Sequence, residues 1–141
     1  MTYPATDAPR IFPAFRFRDA GAMIEWLTNV VGFAVNARFE TEDGKIGHAE
    51  LSFGSSMIML GDDKEDAFHD VVGAPGASGG KSLYLAVDDV DALFARVSAS
   101  GVTIEEGLTD RDYGSREFIC RDPEGNVWCF GTYWAKVGET G

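Results

Sequence analysis

Cysteine, histidine and positive charge are all scarce in this chain. Its 141 residues include two cysteines, two histidines and 12 lysines and arginines, against 23 aspartates and glutamates. The formal net charge of −11 argues against nucleic acid or an anionic membrane as partner, and leaves a cationic small molecule electrostatically welcome. No run approaches the roughly 20 apolar residues that a membrane helix needs. The first ten residues, MTYPATDAPR, have neither a basic start nor an apolar core, so a cytoplasmic location without a membrane partner is expected. Neither a CxxC nor a Cys/His spacing of the zinc type occurs. Also absent are a nucleophile triad and a dinucleotide fingerprint. The GGKS at 79–82 echoes the end of a phosphate-binding loop but leads into a strand, not a helix.

With 45% hydrophobic and 25% charged residues, the chain reads as one ordinary globular domain with a real core. Its clearest local signal is a hairpin within 109–133, TDRDYGSREFICRDPEGNVWCFGTY. Two β-branched and aromatic segments flank Asp122-Pro123-Glu124-Gly125, which has Asp, Pro and Gly where a type I turn wants them. Strand alternation puts Trp128 and Phe130 on one face and Val127, Cys129 and Gly131 on the other. By the same alternation Cys120 faces the helix side and Cys129 the opposite side, so both are expected as free thiols.

The chain divides into halves of matching pattern. Residues 12–17 alternate, Asp19 caps a helix reaching to Val31, and Gly32 stops it; residues 82–87 alternate, Asp88 and Asp89 supply a cap, and Gly101 stops a second helix. Shifted by 70, the faces Ala20, Met23, Ile24, Leu27 and Val90, Leu93, Phe94, Val97 coincide at i, i+3, i+4, i+7. Three strand-like segments follow each helix, over 33–40, 46–53 and 57–60 and over 102–108, 116–121 and 127–133. Each half is thus βαβββ, an α+β arrangement within a single domain of residues 1–141. Module one lies near 10–60 and module two near 81–134. The linker 61–80 combines the charged run GDDKEDAFHD, read as a solvated loop or a lid, with VGAPGASGG.

A duplicated βαβββ unit with FRFRDAGAMIEWLTNVVGF, HAELSFG, LYLAVDDVDALFARVSASG and RDPEGNVWCFGTY resembles the glyoxalase I, bleomycin-resistance protein and extradiol dioxygenase superfamily, the vicinal oxygen chelate proteins. The resemblance spans about residues 10–134 and implies a half-open eight-stranded barrel around a cleft, commonly in a homodimer. Its metal-dependent members look to carry four His or Glu ligands, on the first and last strand of each unit. The corresponding positions here are Phe12, Met59 or Leu60, Ser82 and Cys129, none of them a His or a carboxylate. No metal and no cofactor are therefore expected.

Alternation sends Phe15, Phe17, Ala49, Leu51, Phe53, Leu83, Leu85 and Val87 under the helices. It leaves Phe12, Ala14, Arg16, His48, Glu50, Ser52, Ser82, Tyr84 and Ala86 to line the cleft. His48 and Glu50, two apart on a strand, project together and can act as acid and base or grip a ligand amine; a solvated polar face is the plainer alternative. Glu117 overlays His48 at an offset of 69. Tyr84 and Tyr113 are candidates to stack a planar ligand, whereas Trp26 and Trp128 read as core and His69 as surface. Arg116 can meet an anionic group or pair with Asp110 or Asp112. The ligand-binding set is accordingly Phe12, His48, Glu50, Met59, Ser82, Tyr84, Tyr113, Arg116, Glu117 and Cys129.

The function expected is metal-free binding of a small cationic or aromatic compound, similar to the bleomycin-resistance branch, where sequestration gives antibiotic resistance. The alternative is a lyase, isomerase or dioxygenase of the same superfamily, either metal-free through His48 and Glu50 or with a displaced site recruiting Glu117.

Overall fold

The computed structural model describes residues 8–76 and 79–138. Residues 1–7 of the N-terminal stretch and residues 77 and 78 of the linker lie outside them. The chain divides into two compact units, Met1–Pro75 and Gly76–Gly141. Each carries one four-stranded sheet of mixed direction, so the eight strands form two sheets of four.

In module one, β1 (Ala14–Phe17), α1 (Ala20–Trp26), β2 (Ala34–Glu40), β3 (Ile46–Phe53) and β4 (Ser56–Asp62) assemble in the order β1-β4-β3-β2, with β1 and β4 parallel. The Asp19 side chain accepts from the Ala22 amide and starts α1 as expected. The helix then widens into a π-helical turn, Leu27–Val31, and Gly32 closes it at φ 109°. Ala20, Met23, Ile24 and Leu27 are all buried, as are Phe17, Ala49, Leu51 and Leu60 beneath them. Each fully buried Leu or Phe of this kind contributes roughly 1.5–3 kcal/mol of transfer free energy.

Module two repeats the plan with β5 (Leu83–Ala86), α3 (Val90–Ala99), β6 (Ile104–Asp110), β7 (Arg116–Arg121) and β8 (Val127–Gly131), in the order β5-β8-β7-β6. Asp89 caps α3 through the Ala92 amide. Val90, Leu93 and Val97 are buried, and Phe94 meets the Phe118 ring edge-on at 5.1 Å. The Asp-Pro-Glu-Gly turn forms with the Gly125 amide on the Asp122 carbonyl at 2.9 Å and Gly125 at φ 93°. Asp122 is buried and accepts from the Glu124 and Asn126 amides, from Asn126 Nδ2 and from Trp128 Nε1. That indole bond fixes Trp128 as core, and both cysteines are free.

The structure differs from the sequence reading at several boundaries. β1 begins at Ala14, so Phe12 precedes it; Pro13, with no N–H, gives only its carbonyl, to the Met59 amide at 2.9 Å. Ser82 likewise precedes β5 and is exposed. The region 61–80 is not a plain linker: β4 runs on to Asp62, and a short helix, α2 (Ala67–Val72), begins at an Asp66 cap. His69, expected at the surface, is half-buried on α2 and bonds Asp63 through Nδ1 at 2.8 Å.

Candidate functional site

Each sheet has one face under its helix and one open face, and the strand register says which side chains share the latter. In module one Met59 pairs with Ala14 on one side and Glu50 on the other, so Met59, not the buried Leu60, joins the open face. In module two Cys129 pairs with Tyr84 and Ile119, and Gly131 with Glu117. Glu50 corresponds to Ile119 at an offset of 69 and Met59 to Cys129 at an offset of 70, so Glu117 does stand where His48 stands.

On the open face of module one His48 Nε2 lies 3.0 Å from Glu50 Oε2, and Asn36 Nδ2 donates to Glu50 Oε1 at 2.9 Å. The bond to His48, then that from Asn36, holds the Glu50 carboxyl below its ordinary range. The Phe39 ring stacks beside the imidazole at 6.3 Å. Asn36 was not legible from alternation because a register shift between Val35 and Ala37 re-aims it. Arg16, on the same face and half-buried, is paired with Asp66.

Module two carries a denser cluster. Glu117 is 5% exposed. It accepts from Tyr113 Oη at 2.8 Å and Arg111 Nε at 3.2 Å, and it bonds the Ser115 hydroxyl. Burial pushes its carboxyl upward, but these three donors outweigh that, and the group ends below its ordinary range. Arg111 also pairs with Glu106, leaving one net negative charge on the cluster. Tyr84 Oη donates to the Tyr133 carbonyl at 2.7 Å, and the Tyr113 and Tyr133 rings meet edge to face at 5.9 Å. Burial raises the Tyr84 phenol, and the bond to Glu117 raises that of Tyr113, so both stay protonated donors. A Cβ on Gly131 would lie 2.6 Å from both Glu117 Cγ and Tyr84 Oη, so the glycine leaves both side chains the space over β8 that they occupy.

The structure thus brings together Tyr84, Tyr113, Glu117 and Cys129, and separately His48, Glu50 and Met59. Arg116 joins neither set. One residue from Glu117, it points to the other face and pairs with Asp91 at 2.8 Å and Asp110 at 3.1 Å. Arg111, Ser115 and Tyr133 were missed; the short turn 111–115, which folds Arg111 and Tyr113 back over Glu117, was the available signal. A cavity of 340 Å³ in module one lies between the start of α1 and the β2–β3 turn, lined by Arg18, Arg38, Lys45 and Asp62 among others. None of the predicted site residues lines it.

The positions that correspond to metal ligands fit no divalent cation. Phe12 offers a ring, Met59 a thioether and Ser82 an exposed hydroxyl. The Cys129 thiol, pushed up to about 11 by burial and then by Glu117, is a single soft donor and makes no site by itself. Among the described residues no group of three or more His, Cys, Asp or Glu side chains is arranged to hold a metal ion. No described helix is long and apolar enough to cross a membrane.

Comparison with known proteins bears on this fold and face. The uncharacterized protein Mb0911c of Mycobacterium bovis is 30% identical over 125 residues, spanning 87% of this chain and 82% of that protein. TioX from Micromonospora sp. ML1 superposes with a TM-score of 0.69 at 27% identity, over 92% of this chain and 99% of TioX. TnmS3 from Streptomyces sp. CB03234, described as an antibiotic binding protein, shares the fold with a TM-score of 0.62 at 22% identity, over 89% of this chain and 97% of its own. The sequence model of the Glyoxalase/Bleomycin resistance protein/Dioxygenase superfamily matches residues 12–130, most of the sequence, and the chain belongs to that superfamily.

Proposed function

We propose that this protein is a metal-free binder of the glyoxalase/bleomycin-resistance type that sequesters a planar aromatic compound, preferentially a cationic one. The observation that carries the reading is the Glu117 cluster of module two. A nearly buried carboxylate held in its charged form lies among three tyrosines that remain 42%, 58% and 41% exposed, Tyr84, Tyr113 and Tyr133. Exposed aromatic faces stack planar rings and attract cations, and the net charge of −11 adds long-range attraction for the same ligands. The description of TnmS3 as an antibiotic binding protein supports a sequestering role on this fold. The proposed setting is a homodimer in the cytoplasm.

A second reading, a lyase or isomerase without metal, draws on the His48–Glu50 bond of 3.0 Å. Glu50 would hold the imidazole oriented while its other nitrogen exchanges a proton with substrate. The two readings separate in one titration with ethidium, a planar aromatic cation, followed by its fluorescence anisotropy. Sequestration predicts saturable binding that Tyr84→Ala weakens about tenfold, the equivalent of roughly 1.4 kcal/mol, while His48→Ala leaves it unchanged. Affinity indifferent to Tyr84→Ala and to Glu117→Gln would refute the binding face.

A further inference from the structure

Arg16 is surrounded in an unusual way by its own chain. It stands on β1 between the core-facing Phe15 and Phe17, so its side chain leaves on the open face of module one. There NH1 and NH2 donate to the two oxygens of Asp66 at 2.7 and 2.9 Å, and the Phe68 ring lies 4.9 Å from the guanidinium carbon. A planar fork met by a carboxylate at its edge and an aromatic ring at its face is the set of contacts that a carboxylate joined to an aromatic ring by a flexible two-carbon tether would supply. The helix providing them is weakly rooted: α2 is six residues long, none of them buried, and Phe68, Val71 and Val72 are at least half exposed. A further side-chain tie is His69 to Asp63 at 2.8 Å.

We propose that Arg16 is a recognition residue for an arylalkyl carboxylate and that segment 66–68 occupies it from within, so that ligand binding displaces α2. The site lies in module one and is independent of the module-two face assigned above. The acidic balance of the chain disfavours anions at long range, so the fork and ring contacts must carry the affinity.

Sodium 3-phenylpropionate is the probe, with 3-phenylpropionamide at matched ionic strength as the neutral control, read by hydrogen exchange over residues 67–72. The carboxylate is expected to raise that exchange saturably, about threefold or more, and the amide not at all. Asp66→Asn keeps an N-cap oxygen for the His69 amide but removes the nearer competing charge, while Asp63 stays 3.9 Å from the fork; it is expected to bind phenylpropionate about tenfold more tightly. Arg16→Lys keeps the charge without the fork and is expected to bind it more weakly than the native protein. Phenylpropionate affinity unchanged in Asp66→Asn, or saturation without any change over 67–72, would overturn the proposal.

Discussion

The two open faces grow from one scaffold and do different things with it. Each module closes its β2–β3 or β6–β7 hairpin with the same turn: the Gly44 amide bonds the Thr41 carbonyl, and the Gly114 amide bonds the Arg111 carbonyl. Each puts a glycine at the same point of its last strand, Gly61 and Gly131. What varies is the cargo of the turn. Module one has Thr41, Asp43 and Lys45, whose polar atoms bond among themselves, and His48 stays about half exposed beside Glu50. Module two has Arg111, Tyr113 and Ser115, and all three reach Glu117. Duplication has preserved register and close approaches. The positions that neither core nor turn geometry dictates have become one half-exposed dyad and one preorganised carboxylate among tyrosines.

The comparison is most sharply tested where the modules differ in construction. Module one turns from β3 to β4 through Gly54 and Ser55 alone, whereas module two inserts one residue more and secures the turn with Asp122. Asp122→Ala would strand two backbone amides, a side-chain amide and the buried Trp128 N–H. We expect a loss of about 3 kcal/mol in urea unfolding, with a red shift of the tryptophan emission. A loss below about 1 kcal/mol would mean that the turn holds itself without this side chain.

The paired glycines come next. A Cβ on Gly61 would meet the Gly47 carbonyl oxygen at 2.9 Å, a backbone atom that cannot step aside. Gly61→Ala should therefore cost about 2 kcal/mol. Gly131→Ala meets only side-chain atoms, so it should cost about half as much while displacing Tyr84 and Glu117 and weakening ethidium binding. Equal costs, with ethidium binding intact, would erase the distinction between a structural and a functional glycine.

The smallest effect concerns protons. Hydrogen bonding to Asp63, and then its charge, raises the His69 imidazole above its ordinary 6.5. The stabilisation from this pair is full below pH 6.5 and is lost as pH rises through the higher folded value. His69→Gln should flatten that decline in a melting-temperature profile, while His48→Gln serves as the control.

Much of this architecture was legible in the sequence because local chemistry and global fold agree. Asp19 and Asp89 cap, Gly32 and Gly101 stop, and the apolar spacing at an offset of 70 is a core constraint repeated twice. The open faces followed from strand alternation, which placed His48 beside Glu50 and sent Tyr84 and Cys129 to the side away from the helix; the register then makes these two neighbours. What escaped depends on contacts remote in sequence or on broken periodicity. The helix α2 has no buried face to betray it, and is held by Arg16 some fifty positions away. Asn36 reaches Glu50 only through a bulge, and Arg111 reaches Glu117 only because the intervening turn folds back. Arg116 does pair with Asp110, one of the two outcomes read from the sequence; its second partner, Asp91 on α3, was not legible there.

The most direct test of the central claim is metal content by mass spectrometry, on protein stripped with chelator, offered nickel, zinc, manganese and iron(II), and then desalted. Retention near zero, with ethidium binding undiminished by chelator, is the result predicted by Phe12, Met59, Ser82 and Cys129 at the ligand positions. Retention of about one metal per chain, with ligand binding lost on stripping, would contradict it.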